Sequence, residues 1–247
     1  MGAATRCYTQ WAMPDPSMII FDCDGVLVDS EAVKCEVVAR HLGKLGISIT
    51  GAAVLERFTG VPEREMYQAL SIETGVPIPP EHIAEAHALK ISHCGAKGEA
   101  LAMPGIHECL DALRGVAICV ASSSSPDMLA HLLRQANLWD RFAPHIFSAA
   151  EVKRGKPAPD LFLFAAQRMG IAPERCIVIE DSLAGITAAR AAAMTPIGFA
   201  GGCHCGPDHA DKLRRAGART VFMNLASLAD YLSALLADGA STTLSRR

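Results

Sequence analysis

Met18-Ile19-Ile20-Phe21-Asp22-Cys23-Asp24-Gly25-Val26 is the stretch from which the fold can be read. Large apolar residues run without alternation into two carboxylates one residue apart, and a glycine follows. An unbroken apolar run suits a strand buried on both faces, as in a parallel sheet. Gly25 gives the backbone freedom to turn away at once. In open parallel sheets, ligands bind beyond the carboxyl ends of the strands. Asp22 and Asp24 therefore mark a candidate site.

Working outward, Val26–Ser30 reads as a connection into a helix, with Ser30 as its N-cap and Glu31 in its first turn. Val33, Val37, Val38, Leu42 and Leu45 recur at helical spacing, and Gly46 ends the run. Further helix is predicted at Ala52–Phe58, Glu63–Thr74 and Glu81–Cys94, separated by Gly/Pro-rich breaks. No buried-strand pattern occurs between Gly46 and Met103, so residues 30–102 read as an all-helical insert. Core sequence is expected at 18–29 and again from 103 to 247. From Met103-Pro104-Gly105 onward, helix and strand alternate. Val116–Ala121 and Cys176–Ile179 read as buried strands, Ile146-Phe147 as a short strand, and Pro196–Phe199 and Val221-Phe222 as edge strands. Helices are predicted at Ile106–Arg114, Asp127–Asn137, Leu161–Met169, Gly185–Ala193 and Leu225–Leu236. This alternation predicts an α/β fold, a parallel sheet with helices on both faces.

Upstream, residues 1–17 lack the apolar core of a signal peptide and read as a flexible leader. Net charge is -3, with no basic patch to attract nucleic acid and no apolar run able to span a bilayer. Neither nucleic acid nor membrane is expected as a partner. Nine cysteines at irregular spacings suggest free thiols in a reducing compartment, hence the cytoplasm.

Buried strands end in polar groups: Asp22/Asp24, Ser122/Ser123 and Glu180/Asp181, with Lys156 brought by a further loop. In a parallel sheet these ends share one edge. The spacing predicts a pocket of carboxylates, hydroxyls and one ammonium. Packed carboxylates repel unless a cation intervenes, and an all-oxygen set suits Mg²⁺. Together with Lys156 and hydroxyl donors, such a site could receive a phosphoryl group.

In order, spacing and strand placement, Phe21-Asp22-Cys23-Asp24-Gly25-Val26, Ser122, Lys156-Pro157-Ala158-Pro159-Asp160 and Glu180-Asp181-Ser182 resemble the motifs of the haloacid dehalogenase superfamily. The insert resembles the helical cap of the branch that contains sugar-phosphate phosphatases and beta-phosphoglucomutase. The resemblance implies a Rossmann-like core with the cap inserted after the first strand. It also implies phosphatase activity on a small phosphorylated metabolite, a sugar or sugar-acid phosphate. By the same resemblance, Asp22 attacks phosphorus to form an aspartyl-phosphate. Asp24 protonates the leaving oxygen and then deprotonates water. Ser122, Ser123 and Lys156 hold the phosphoryl oxygens. Mg²⁺ is held by Asp22, the Asp24 backbone carbonyl and Asp181, with Glu180 in or beside its ligand shell.

Asp22-Cys23-Asp24 alone could be a strand-ending turn, and Ser124 or Ser125 could cap the helix near Asp127. Glu180 and Asp181 could cap the helix that follows them. Cys23, between two carboxylates, makes a poor nucleophile. Dehalogenases resembling this family lack the second aspartate, and phosphonoacetaldehyde hydrolases replace it, so Asp24 argues against both. A non-catalytic relic should have lost Asp22 or Asp24. Mutases of the family carry an arginine two positions after a cap Gly-Val. Here Gly60-Val61-Pro62 precedes Glu63, and Arg64 is displaced by one. Glu63, Arg64 and Lys90 are polar cap candidates. Cys203-His204-Cys205 with His209 invites a zinc reading, but no C-x-x-C pair completes it. That stretch is expected to be a mobile polar loop.

Overall fold

The computed structural model describes residues 16–58, 61, 63–93 and 101–244. Its sheet has six strands: β1 (Met18–Phe21), β2 (Ala117–Ser122), β3 (Ile146–Ser148), β4 (Cys176–Glu180), β5 (Thr195–Phe199) and β6 (Val221–Phe222). They run parallel in the order β3-β2-β1-β4-β5-β6, so β1 is central, between β2 and β4. The reason β1 is apolar without alternation is now visible. Ile19 and Phe21 point into one cluster, Met18 and Ile20 into another on the opposite face. Residues of β4 divide the same way, Ile177 and Ile179 against Cys176 and Val178.

One face is covered by α5 (Ile106–Ala112), α6 (Pro126–Gln135), α7 (Trp139–Phe142) and α11 (Leu225–Leu244), through residues such as Leu110, Leu132, Phe142 and Leu228. The other is covered by α8 (Asp160–Met169) and α9 (Leu183–Ala191), through Leu161, Phe162, Ala165, Ala188 and Ala189. Burying each large aliphatic or aromatic side chain contributes about 1.5–3 kcal/mol. α10 (His209–Ala216) packs its Leu213 with Ile186 and Ala200.

Between β1 and β2 the chain forms α1 (Glu31–Gly43), α2 (Gly51–Phe58), α3 (Glu63–Thr74) and α4 (Pro80–His93). These helices share a cluster of their own, built from Val38, Leu42, Ile47, Val54, Met66, Tyr67 and Leu70. The outgoing and returning segments lie side by side. Asp29 N–H donates to Leu101 O at 3.0 Å, Met103 N–H to Leu27 O at 2.9 Å, and Val28 forms an antiparallel bridge with Ala102. The expected α/β architecture with a helical insert after the first strand is what the chain adopts. The predicted leader through residue 15, Gly60, Pro62 and Cys94 lie outside the described residues.

Several features differ from expectation: β5, read as an edge strand, lies inside the sheet between β4 and β6, because β6 pairs with its far side. Ser30 makes no capping hydrogen bond, because its hydroxyl is used on Asp24. Ser125, not Ser124, caps α6. Ser182, rather than Glu180 or Asp181, caps α9 by accepting from Gly185 N–H at 2.9 Å. α7 and α10 were not expected; both are short, and α10 is too rich in charge to show a clear apolar stripe. Among the described residues all cysteines are free thiols, and no helix is long and apolar enough to cross a membrane.

Candidate active site

The carboxyl end of β1 delivers Asp22, Cys23 and Asp24 to the sheet edge, where β4 delivers Glu180 and Asp181. Asp22 N–H donates to Ile179 O at 3.0 Å, extending the β1–β4 ladder one residue beyond the strand. Carboxylate oxygens of Asp22, Glu180 and Asp181 all lie within 4.8 Å of one another, and all three residues are buried. Lys156 Nζ sits between them. It donates to Asp22 Oδ1 at 2.7 Å and to Glu180 Oε1 at 2.5 Å, and lies 4.9 Å from the centre of the Phe162 ring. Residues 134 positions apart in the chain thus meet at one point, as expected from the sheet edge.

Electrostatics follow from this crowding. Burial pushes the Asp22 carboxyl well above the usual carboxylate range; Lys156 opposes this, while Glu180 and Asp181 add to it. Asp181 is also raised, chiefly by burial, against the opposing pull of His204. Burial alone would weaken the Lys156 ammonium, but Asp22 and Glu180 hold its pKa above the ordinary lysine value. One ammonium cannot balance three carboxylates, so the donor set fits a hard divalent cation of the Mg²⁺ type.

Within that set the groups are not equivalent. Glu180 Oε1 receives Lys156, and Oε2 receives both the N–H and the hydroxyl of Ser182, each at 2.9 Å. A Cβ at residue 185 would lie 1.9 Å from that carboxylate, so Gly185 is what lets Glu180 settle over the first turn of α9. Gly25, at φ +80, passes equally close to Asp181: a Cβ there would lie 2.0 Å from Oδ2.

Asp24 turns away from this trio. Its Oδ1 receives the Ser30 hydroxyl at 2.6 Å and the Lys34 ammonium, and its Oδ2 receives the Ser124 hydroxyl at 2.7 Å. Burial would raise the Asp24 carboxyl, yet Lys34 and these hydrogen bonds outweigh it and hold the group below its ordinary value. Ser122 is buried at the end of β2, its Oγ accepting from Ser124 N–H at 3.2 Å, while Ser123 is exposed. In the insert, Glu63 and Lys90 pair with each other at 2.5 Å, and Arg64 is exposed.

Ser30, Lys34, Ser124 and His204 were missed by sequence reasoning. The first two sit four residues apart at the start of α1, directly after the D-x-D turn, a spacing that puts both on one helix face. His204 follows the carboxyl end of β5 and is therefore on the same sheet edge. The Cys203–His209 stretch is not a loose loop: His204 is 9% exposed and its Nε2 lies 2.7 Å from Asp181 Oδ2.

The chain is similar to known proteins over most of its length. A family model described as haloacid dehalogenase-like hydrolase matches residues 16–193. The 6-phosphogluconate phosphatase of Escherichia coli K12 is 30% identical over 192 residues, covering 76% of this chain and 85% of that protein. A HAD family hydrolase from Deinococcus radiodurans R1, solved with bound phosphate and sodium, superposes with TM-score 0.74 at 34% identity, covering 90% of this chain and 98% of that one. A putative beta-phosphoglucomutase from Thermotoga maritima superposes with TM-score 0.70 at 26% identity, over 87% and 98%.

Proposed function

Because the chain belongs to the haloacid dehalogenase-like hydrolases and is a phosphatase of that family, we propose that it is a Mg²⁺-dependent enzyme releasing phosphate from a small sugar or sugar-acid phosphate. The observation that carries this reading is Lys156 bridging Asp22 and Glu180 beside Asp181. Asp22, Asp181 and the Asp24 backbone carbonyl would hold the cation. Glu180, with both oxygens already engaged, orients Lys156 from beside it. When bound, Mg²⁺ supplies the charge that lets an anionic phosphate approach an anionic nucleophile.

Asp22 attacks phosphorus, forming an O–P bond as the bond to the leaving oxygen breaks. Asp24 gives that oxygen a proton. Asp24 then takes a proton from water as the water attacks the aspartyl-phosphate, which returns Asp22 to its carboxylate and frees phosphate. Ser122, Ser123 and Lys156 receive the phosphoryl oxygens. The insert, residues 30–102, is the cap that closes over the ligand and excludes water. The substrate class draws support from the 6-phosphogluconate phosphatase relative. Free thiols at all described cysteines accord with a reducing, cytoplasmic setting.

A panel of phosphorylated metabolites assayed for released phosphate tests the substrate. Asp22→Asn should abolish turnover with the fold intact; retention of a tenth of the rate would remove Asp22 as nucleophile. The likeness to the putative mutase favours one second reading, transfer within a sugar phosphate. Beta-glucose 1-phosphate with a bisphosphate primer separates the two: free phosphate supports hydrolysis, glucose 6-phosphate the mutase. The exposed Arg64 and the Glu63–Lys90 pairing favour hydrolysis.

A further inference from the structure

A second cluster lies against the back of Asp181. A ring nitrogen of His204, Sγ of Cys205 and a ring nitrogen of His209 lie within 4.8 Å of one another. His204 and Cys205 come from the loop after β5, and His209 opens α10. The stretch that failed the C-x-x-C test in sequence thus places its three donors together by folding. Cys205 Sγ stands 3.4 Å from His204 Nε2. Sulfur and nitrogen ligands of tetrahedral zinc are about 3.6 Å apart, from bonds of about 2.3 and 2.0–2.1 Å.

The surroundings match a ligand set. His209 Nε2 donates to Asp181 O at 2.6 Å, which leaves Nδ1 as the ring nitrogen free to bind a cation. Metal-binding histidines commonly have their second nitrogen fixed on a carbonyl in this way. His204 Nδ1 is buried on the Gly202 side of the ring, so Nε2 is the nitrogen that faces Cys205. Room for that ring comes from glycine on two sides: a Cβ at Gly25 or at Gly202 would lie 2.7 or 2.6 Å from its Cε1.

We propose that His204, Cys205 and His209 form a second cation site, selective for a borderline-soft divalent ion such as Zn²⁺, against Asp181. Thiolate and imidazole donors favour zinc over magnesium. Asp181 then stands between the two sites, its Oδ2 2.7 Å from His204 Nε2 and its carboxylate grouped with Asp22 and Glu180. Zinc binding itself does not depend on the phosphatase reading. Its effect on Mg²⁺ does.

The test uses the full chain with Mg²⁺ in excess to occupy the acidic cluster. Co²⁺ added as a spectroscopic stand-in should give a near-ultraviolet thiolate-to-cobalt charge-transfer band. Zn²⁺ should abolish that band by displacement. Cys205→Ser should lose it and bind zinc at least about tenfold more weakly, and His209→Ala should weaken binding likewise. Cys203→Ser, at the exposed neighbour, should keep the band. Absence of the band in the unaltered chain overturns the proposal, whatever the variants do. In the activity arm, Zn²⁺ should raise the Mg²⁺ concentration needed for half-maximal turnover in the unaltered chain more than in Cys205→Ser. An equal rise in both, without a thiolate band, would place zinc at the acidic cluster and refute the second site. If no phosphatase activity is found, the band still decides the proposal.

Discussion

Replacing Lys34 by Met removes the charge beside Asp24 and keeps the buried stem. Lys34 is the cation within hydrogen-bonding reach of that carboxylate. An opposite charge at such range lowers a carboxyl by about 1–3 pH units, or about 1.4–4 kcal/mol at 1.36 kcal/mol per unit. Its loss should raise the Asp24 carboxyl by an amount in the lower half of that range, because Ser30 at 2.6 Å and Ser124 at 2.7 Å continue to favour the ionised form. Removing one partner of a fully buried pair costs about 3–5 kcal/mol. The Asp24 side chain keeps two hydroxyl donors and is 15% exposed, so the loss of stability should fall below that. The assay is hydrolysis of an aryl phosphate, whose phenolate leaves without a proton, so that of the two roles proposed for Asp24 only that of base for water is left. A base must be ionised. Raising the Asp24 carboxyl therefore moves the acid limb of the rate profile to higher pH by about 1 unit or more. A profile that superposes on that of the unaltered chain, with the variant folded by its thermal midpoint, would refute the electrostatic role of Lys34.

Other outcomes follow from the same geometry. Gly185→Ala puts a Cβ 1.9 Å from the Glu180 carboxylate and should displace it from Lys156. A displacement of about 1 Å can cost on the order of 100-fold in turnover, so a folded variant within twofold of the original rate would contradict this. Chelation with EDTA should silence the enzyme and Mg²⁺ should restore it; full activity in excess EDTA would sink the metal reading. His41 stacks on His82 at 3.8 Å inside the insert, and burial, with repulsion from His82 and Lys44, holds its pKa below the ordinary value despite Glu85. As pH falls below about 6.5 the unfolded chain takes up a proton that the folded chain refuses. Stability should therefore decline between about pH 7 and pH 5, and less so in His41→Gln; equal declines would acquit His41.

The strands and the sheet edge were legible because β1 and β4 are buried on both faces, which leaves an unbroken apolar run that few other elements produce. Asp22, Lys156, Glu180 and Asp181 could be placed together since each follows or flanks such a strand. The partners of Asp24 were less visible. Ser30 looks like a helix cap, and Lys34 looks like a solvated charge on a first turn; only the angle at which α1 leaves the D-x-D turn sends both side chains back to Asp24. Ser124 hides in a run of four serines, where Ser125 takes the capping role. His204, Cys205 and His209 lack a regular spacing, because two lie in a loop and the third begins α10.

Lys34 rides on the first helix of the insert, whereas the carboxylate it neutralises belongs to the core. The two segments that join these bodies are fastened together at Val28 and Ala102, and Val33 and Ile91 of the insert pack on the core beside them. Tilting α1 would draw the ammonium off Asp24 and let the carboxylate grip a proton more tightly. Posture would in this way be converted into acidity: the attitude of the helical insert would set how readily Asp24 gives up or accepts hydrogen.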